Sequence, residues 1–137
     1  MERKTTRRKS ERKEPTQPAA AGPRARNWAR RAVSAALDKK AQRPVILDVA
    51  AICTWTDVMV VVSADNVPQV KAIAGEVIDQ LAEVGAKTGR SEGLETGAWV
   101  LLDYGDLVVH VFLEEKREFY GLERLWGDAK EIAYVDE

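Results

Sequence analysis

His110 and Cys53 are the only histidine and the only cysteine in a chain of 137 residues. No His-based metal cluster, Cys-based zinc site or internal disulfide can therefore be assembled. His110 sits in an apolar run and reads as a partly buried, hydrogen-bonded residue before it reads as a general base. Cys53 has no neighbouring basic residue to lower its pKa and reads as a small buried hydrophobe. Asp103 and Asp106 could share a divalent ion, but a tight turn needs aspartates there for backbone reasons, and that is the stronger reading. Ser63-Ala-Asp65 is too short and too poor in glycine to cradle a phosphate, and neither GxxxxGK[ST] nor GxGxxG occurs. No catalytic residue, metal or cofactor is expected. Binding is the function class that remains.

The residues that could bind lie in Trp99-Val-Leu-Leu-Asp-Tyr-Gly-Asp-Leu-Val-Val-His-Val-Phe-Leu113. Two β-rich runs flank Gly105-Asp106, a pair suited to a two-residue primed turn. That turn sets Tyr104 opposite Leu107 and, working outward, Leu101 opposite His110 and Trp99 opposite Phe112. Opposed residues share a sheet face. One face then carries Val100, Leu102, Tyr104, Leu107, Val109 and Val111 and is expected to form the core. The other carries Trp99, Leu101, Asp103, Val108, His110 and Phe112, with no amphipathic helix clearly left to cover it. A contiguous exposed apolar patch marks a partner surface. The competing reading is that the C-terminal helix, or a second copy of the chain, packs there.

Helices and strands alternate around this hairpin. Asn27 is expected to cap a first helix through about Ala41, with Ala29, Val33, Ala36 and Leu37 on one stripe. Strands are expected at Val45 to Val49 and at Asp57 to Ser63, the second strongly β-branched. Asp65 and Asn66 introduce a long helix, with Pro68 in its first turn and Gly85 as its stop. Its apolar positions Val70, Ile73, Ala74, Val77, Ile78 and Leu81 make one stripe. Residues 86 to 97 can hold an edge strand. Glu114 to Ala129 reads as a last helix, weakened at Gly121 and breakable there into two. The fold class is α/β: a mixed sheet of about five strands with helices mainly on one face.

Composition agrees with a soluble globular domain, and no apolar run approaches the roughly 20 residues that cross a bilayer. Charge is divided unevenly. Residues 1 to 26 hold nine basic and three acidic residues, a net +6, and the remainder carries −7. The N-terminal segment has too little apolar surface to offset the entropy of ordering, so residues 1–26 are expected to be a disordered basic arm. Residues 27–130 would form the domain and 131–137 a tail. The arm reads either as a solvated tail or as a weak contact for phosphate backbones. It holds no apolar stretch of the secretory kind, and an intracellular, reducing compartment is expected.

Three stretches together resemble one known family. Gly97-Ala-Trp-Val-Leu-Leu-Asp-Tyr-Gly-Asp106, Val108-Val-His-Val-Phe112 and Arg117-Glu-Phe-Tyr-Gly-Leu-Glu-Arg-Leu-Trp-Gly-Asp-Ala129 closely resemble the ribosomal silencing factor (iojap-like) family. Leu47-Asp-Val49, Thr56-Asp57 and Gln69 to Ala74 match upstream. The resemblance covers about residues 27 to 130. It implies a mixed-sheet domain related in fold to nucleotidyltransferases but without their catalytic carboxylates. It further implies a cytoplasmic translation repressor that binds the large ribosomal subunit, at the protein conventionally numbered fourteen. Bound there, the factor blocks joining of the small subunit when nutrients are scarce. Carried over by position, Trp99, Leu101, Asp103, Tyr104, Asp106 and His110 are the candidate contact residues. Where the family often has Ser-Gly after the second strand, this chain has Ser63-Ala64, which argues against a ligand loop there. Two alternatives stay open: an enzyme of nucleotidyltransferase type binding a magnesium nucleotide, and a dimerising adaptor whose aromatic face pairs with itself.

Overall fold

The computed structural model describes residues 20–134. Helix α1 spans Pro23–Asp38, and β1 (Gln42–Asp48) and β2 (Val58–Ala64) follow. Helix α2 spans Val67–Glu83, then come β3 (Arg90–Glu92), β4 (Trp99–Asp103) and β5 (Leu107–Leu113). Two short helices, α3 (Glu114–Tyr120) and α4 (Leu122–Leu125), lead to β6 (Lys130–Glu131). The six strands form one sheet in the order β3-β4-β5-β2-β1-β6. β2 and β5 run parallel, and the other pairings are antiparallel.

The hairpin register is the one read from the sequence, with Trp99 opposite Phe112, Leu101 opposite His110 and Asp103 opposite Val108. Gly105 alone in the turn takes a positive φ, +88°, and the Asp106 N–H donates to Tyr104 O across it at 3.2 Å. The Tyr104 N–H donates to Leu107 O at 2.8 Å to close it. α2 begins where expected: the Asn66 side chain accepts from the Gln69 N–H at 2.9 Å, and Pro68 lies in the first turn.

α1 and α2 pack together on one side of the sheet, over Val58, Val60, Val62, Val100, Leu102, Leu107, Val109 and Val111. This is the core face foreseen from the hairpin. Ala29, Ala32, Val33 and Ala36 of α1 and Val70, Ile73, Ala74, Val77 and Leu81 of α2 are buried against it.

Two boundaries differ from expectation. α1 starts at Pro23 with Gly22 as its cap, so Asn27 lies within the helix and the first turn belongs to what read as the arm. Proline is pre-organised for the first helical position, where it needs no N–H partner, so it opens this helix and does not mark a coil. The remaining arm residues, 1–19, lie outside the described residues. The tail expected from residue 131 also begins inside the sheet. Leu47 pairs with Glu131, the Ile132 N–H donates to Ile46 O, and Ile132 is buried. That pairing adds a sixth strand where about five were expected.

Candidate functional site

The second face of the sheet is not bare. Val61, Met59, Val108, His110 and Phe112 are all buried, His110 to 3% exposure. The expectation of an open flank is corrected: α3 and α4 turn back over this face, and the segment 49–56 joins them. Leu47, Val49, Cys53 and Met59 form a small second core with Val45, Trp126 and Ala129 packed on it. Cys53 is buried there, as its sequence context suggested.

One side chain holds the cap in place. Arg117 is only 2% exposed although it sits on a seven-residue helix. Its guanidinium forks onto the Glu123 carboxylate, with Nε to Oε1 at 2.9 Å and Nη2 to Oε2 at 3.0 Å. Its third nitrogen reaches the sheet and donates to Ser63 Oγ at 2.9 Å. The Ser63 hydroxyl in turn donates to Glu114. Planar, bidentate pairing of this kind is the strong form of an ion pair, and it holds the Glu123 carboxyl below its ordinary range. Gly121, at φ +59°, supplies the left-handed turn that brings Glu123 back to Arg117. The break foreseen at Gly121 is therefore what lets the cap close. Arg43 adds a second tie, donating to Glu114 at 2.7 Å and Glu118 at 3.0 Å.

The six candidate residues do not form one surface. Trp99, Leu101 and Asp103 remain partly exposed on β4, next to the edge strand. Tyr104 is buried on the opposite, core face, where its hydroxyl bonds Thr88 at 2.9 Å. Burial also raises its pKa. His110 is buried as well, and its Nδ1 accepts the Trp99 indole N–H at 3.1 Å. Burial pushes the His110 imidazole down to about 4, so it is neutral near pH 7. Tyr104 and His110 thus lie under the surface, at 8% and 3% exposure, while the other four candidates keep part of theirs open. Asp106 lies at the turn, 3.8 Å from the Arg24 guanidinium. Asp103 accepts the Gly105 N–H at 2.8 Å, the backbone role that its position in a turn predicts. Among the described residues no group of three or more His, Cys, Asp or Glu is placed to hold a metal ion.

What the hairpin reading missed is where the aromatic surface goes. Phe112, buried, stacks on Trp99 at 4.9 Å between ring centroids. Trp99 meets Tyr120 at 4.5 Å, and Tyr120 meets Phe119 at 5.2 Å. The series runs outward from the sheet to Phe119, which is 76% exposed. Leu125 is 72% exposed on the next short helix, and Trp55 packs edge-on to Trp126 nearby in sequence. The only sequence signal for this was the apolar count of residues 119–126, which exceeds what so short a helix can bury.

These features define the class: an α/β domain whose mixed sheet is covered on both faces and whose exposed aromatic residues ride on a short helical cap. The sequence profile described as "Ribosomal silencing factor during starvation" matches residues 22–137. The chain belongs to this ribosomal silencing factor family. It is 43% identical over 101 residues to the ribosomal silencing factor of Halalkalibacterium halodurans, covering 74% of this chain and 86% of that one. To the Bacillus subtilis factor it is 42% identical over 98 residues, covering 72% and 83%. A crystal structure of a Chromobacterium violaceum protein superposes with a TM-score of 0.74 at 35% identity, covering 82% of this chain and 93% of that one.

Proposed function

We propose that this protein lowers translation by docking on the large ribosomal subunit and standing in the way of the small one. Family membership supports a role in ribosome silencing during starvation. The docking partner in this reading is the large-subunit protein conventionally numbered fourteen, and the setting is the cytoplasm. The observation that carries the reading is the aromatic series from Trp99 through Tyr120 to Phe119, continued by Leu125. Aromatic anchors that project from a rigid support are what interface cores favour. Trp99 supplies its inner margin, and Leu101 and Asp103 follow it along β4.

Charge favours a protein partner at this surface. With Arg24 and Arg26 of α1 included, residues 20–137 carry −5, so rRNA repels the domain as a whole while a basic ribosomal protein attracts it. The blocking step needs no chemistry, only occupancy of space that the small subunit requires. The test is co-sedimentation with purified large subunits, paired with light scattering of subunit reassociation. The expected result is a bound fraction with large subunits and slower, less complete reassociation. Failure to bind, or binding with unchanged reassociation, would overturn the proposal.

A further inference from the structure

His110 is a costly residue for the place it occupies. Its neighbours on the second face of the sheet are Val61 of β2, Leu101 of β4, and Val108 and Phe112 of its own strand. All but Leu101 are buried, and so is His110 itself. Its Nδ1 accepts the Trp99 indole N–H at 3.1 Å, so the proton of the neutral ring sits on Nε2. That second N–H is buried and has no hydrogen-bond partner among the described residues. A leucine would fill this space with no donor left unmade, and a donor buried without a partner costs free energy. What the imidazole offers in return is a single acceptor, and Trp99 takes it.

Trp99 needs that acceptor for its orientation. Its backbone is already set, paired opposite Phe112 and so close to Gly93 that no Cβ fits between them. The side-chain torsions remain. Stacking on Phe112 at 4.9 Å holds the plane of the indole but is nearly indifferent to which edge of the ring points inward. A hydrogen bond to the N–H tells the two edges apart. With the N–H edge turned to His110, the ring meets Tyr120 at 4.5 Å, and Tyr120 in turn meets Phe119. One buried hydrogen bond thereby sets the support under two exposed side chains.

We infer that His110 is a positioning residue of the docking surface: through Nδ1 it holds the Trp99 indole in the orientation that supports Tyr120 and Phe119, and it touches no partner itself. The inference deepens the docking reading and rests on it for the identity of the partner. A polar group kept in an apolar setting, at a cost in stability and with its one bond spent on the root of the aromatic series, is what a functional constraint looks like in a core.

Two substitutions separate positioning from bulk. His110→Asn puts an amide oxygen where Nδ1 stood and keeps an acceptor, whereas His110→Leu keeps the volume and removes it. The chain has four tryptophans, and the indole N–H signal missing from the nitrogen–proton spectrum of Trp99→Phe is that of Trp99. In the parent and in His110→Asn this signal should exchange slowly with deuterium, and in His110→Leu it should shift and exchange about fivefold faster, the worth of one hydrogen bond. Affinity for purified large subunits, measured by co-sedimentation, should fall about fivefold in His110→Leu and stay within about twofold of the parent in His110→Asn. The asparagine variant should nonetheless melt at the lower temperature, because its amide suits the apolar surroundings less. Affinity that simply follows melting temperature across the variants would reveal a structural role alone and overturn the inference. Equal affinity in all three proteins would overturn it as well. A parent that does not bind large subunits overturns the docking reading, whereas a Trp99 N–H that stays protected in His110→Leu overturns this inference alone.

Discussion

Lowering the pH should weaken this protein through His110, and the size of the effect follows from its burial. The imidazole titrates near 4 in the folded chain and near 6.5 when unfolded. Between those values the unfolded chain binds a proton that the folded chain refuses. Stability from this residue is therefore complete above about pH 6.5 and is lost as pH falls toward 4. Across the whole window the loss is about 3 kcal/mol, and between pH 7.5 and 5.5 it is about 1.3 kcal/mol. Urea denaturation followed by tryptophan fluorescence at several pH values measures it. The control is His110→Leu, which fills similar space and cannot titrate. It should cost about 1 kcal/mol at pH 7.5, because the Trp99 N–H loses its acceptor, yet show a shallower pH profile. Carboxylates act in both proteins and drop out of the difference. The depressed Glu123 carboxyl has the same sign, but its stabilisation goes only as pH falls through its own lower pKa, beneath this window. Parallel profiles for the two proteins would refute the reasoning.

Phe119→Glu and Leu125→Glu alter exposed side chains, so each should move stability by no more than about 0.5 kcal/mol while co-sedimentation with large subunits is lost. Trp99→Glu should also abolish binding, but its melting temperature should fall too, since Trp99 packs on Phe112 and Tyr120. Arg117→Met keeps the side-chain bulk but leaves Ser63 and Glu123 without their donor. Denaturation should show a loss of about 2 kcal/mol, and proteolysis should cut first within residues 114–129. Removing residues 1–19 should flatten the salt dependence of large-subunit binding without abolishing it, and an unchanged slope would show that the arm makes no phosphate contact.

The hairpin was legible to the residue because a two-residue turn fixes register, and register fixes which side chains share a face. α2 was legible because its apolar stripe, cap and stop all agree. The start of α1 was not, because the proline that opens it lies among residues whose composition speaks for disorder. The cap over the second face was the larger omission. Its signal was present in β2, where Val58 to Val62 is apolar without alternation, and in β5, where Val108, Val109, Val111 and Phe112 repeat it. A strand with one wet face alternates, and an unbroken run is what burial on both faces produces. Arg117 escaped notice for a physical reason. Arginine is rarely buried, and nothing local in sequence announces that Gly121 will fold its carboxylate partner back onto it.

The margins of the sheet have a consequence for how anything can join it. β3 is three residues long and fully exposed, with Arg90 and Glu92 flanking one serine. At the opposite margin β1 is interrupted between Gln42 and Val45, where Arg43 takes φ +52° and Pro44 has no N–H to give. The two residues of β6 occupy the remainder, at Leu47 and Asp48. Short length, charge, proline and a bulge are how sheets refuse added strands. Neither border offers a ladder for another chain to extend, so any companion, including a second copy, must be recognised through side chains alone.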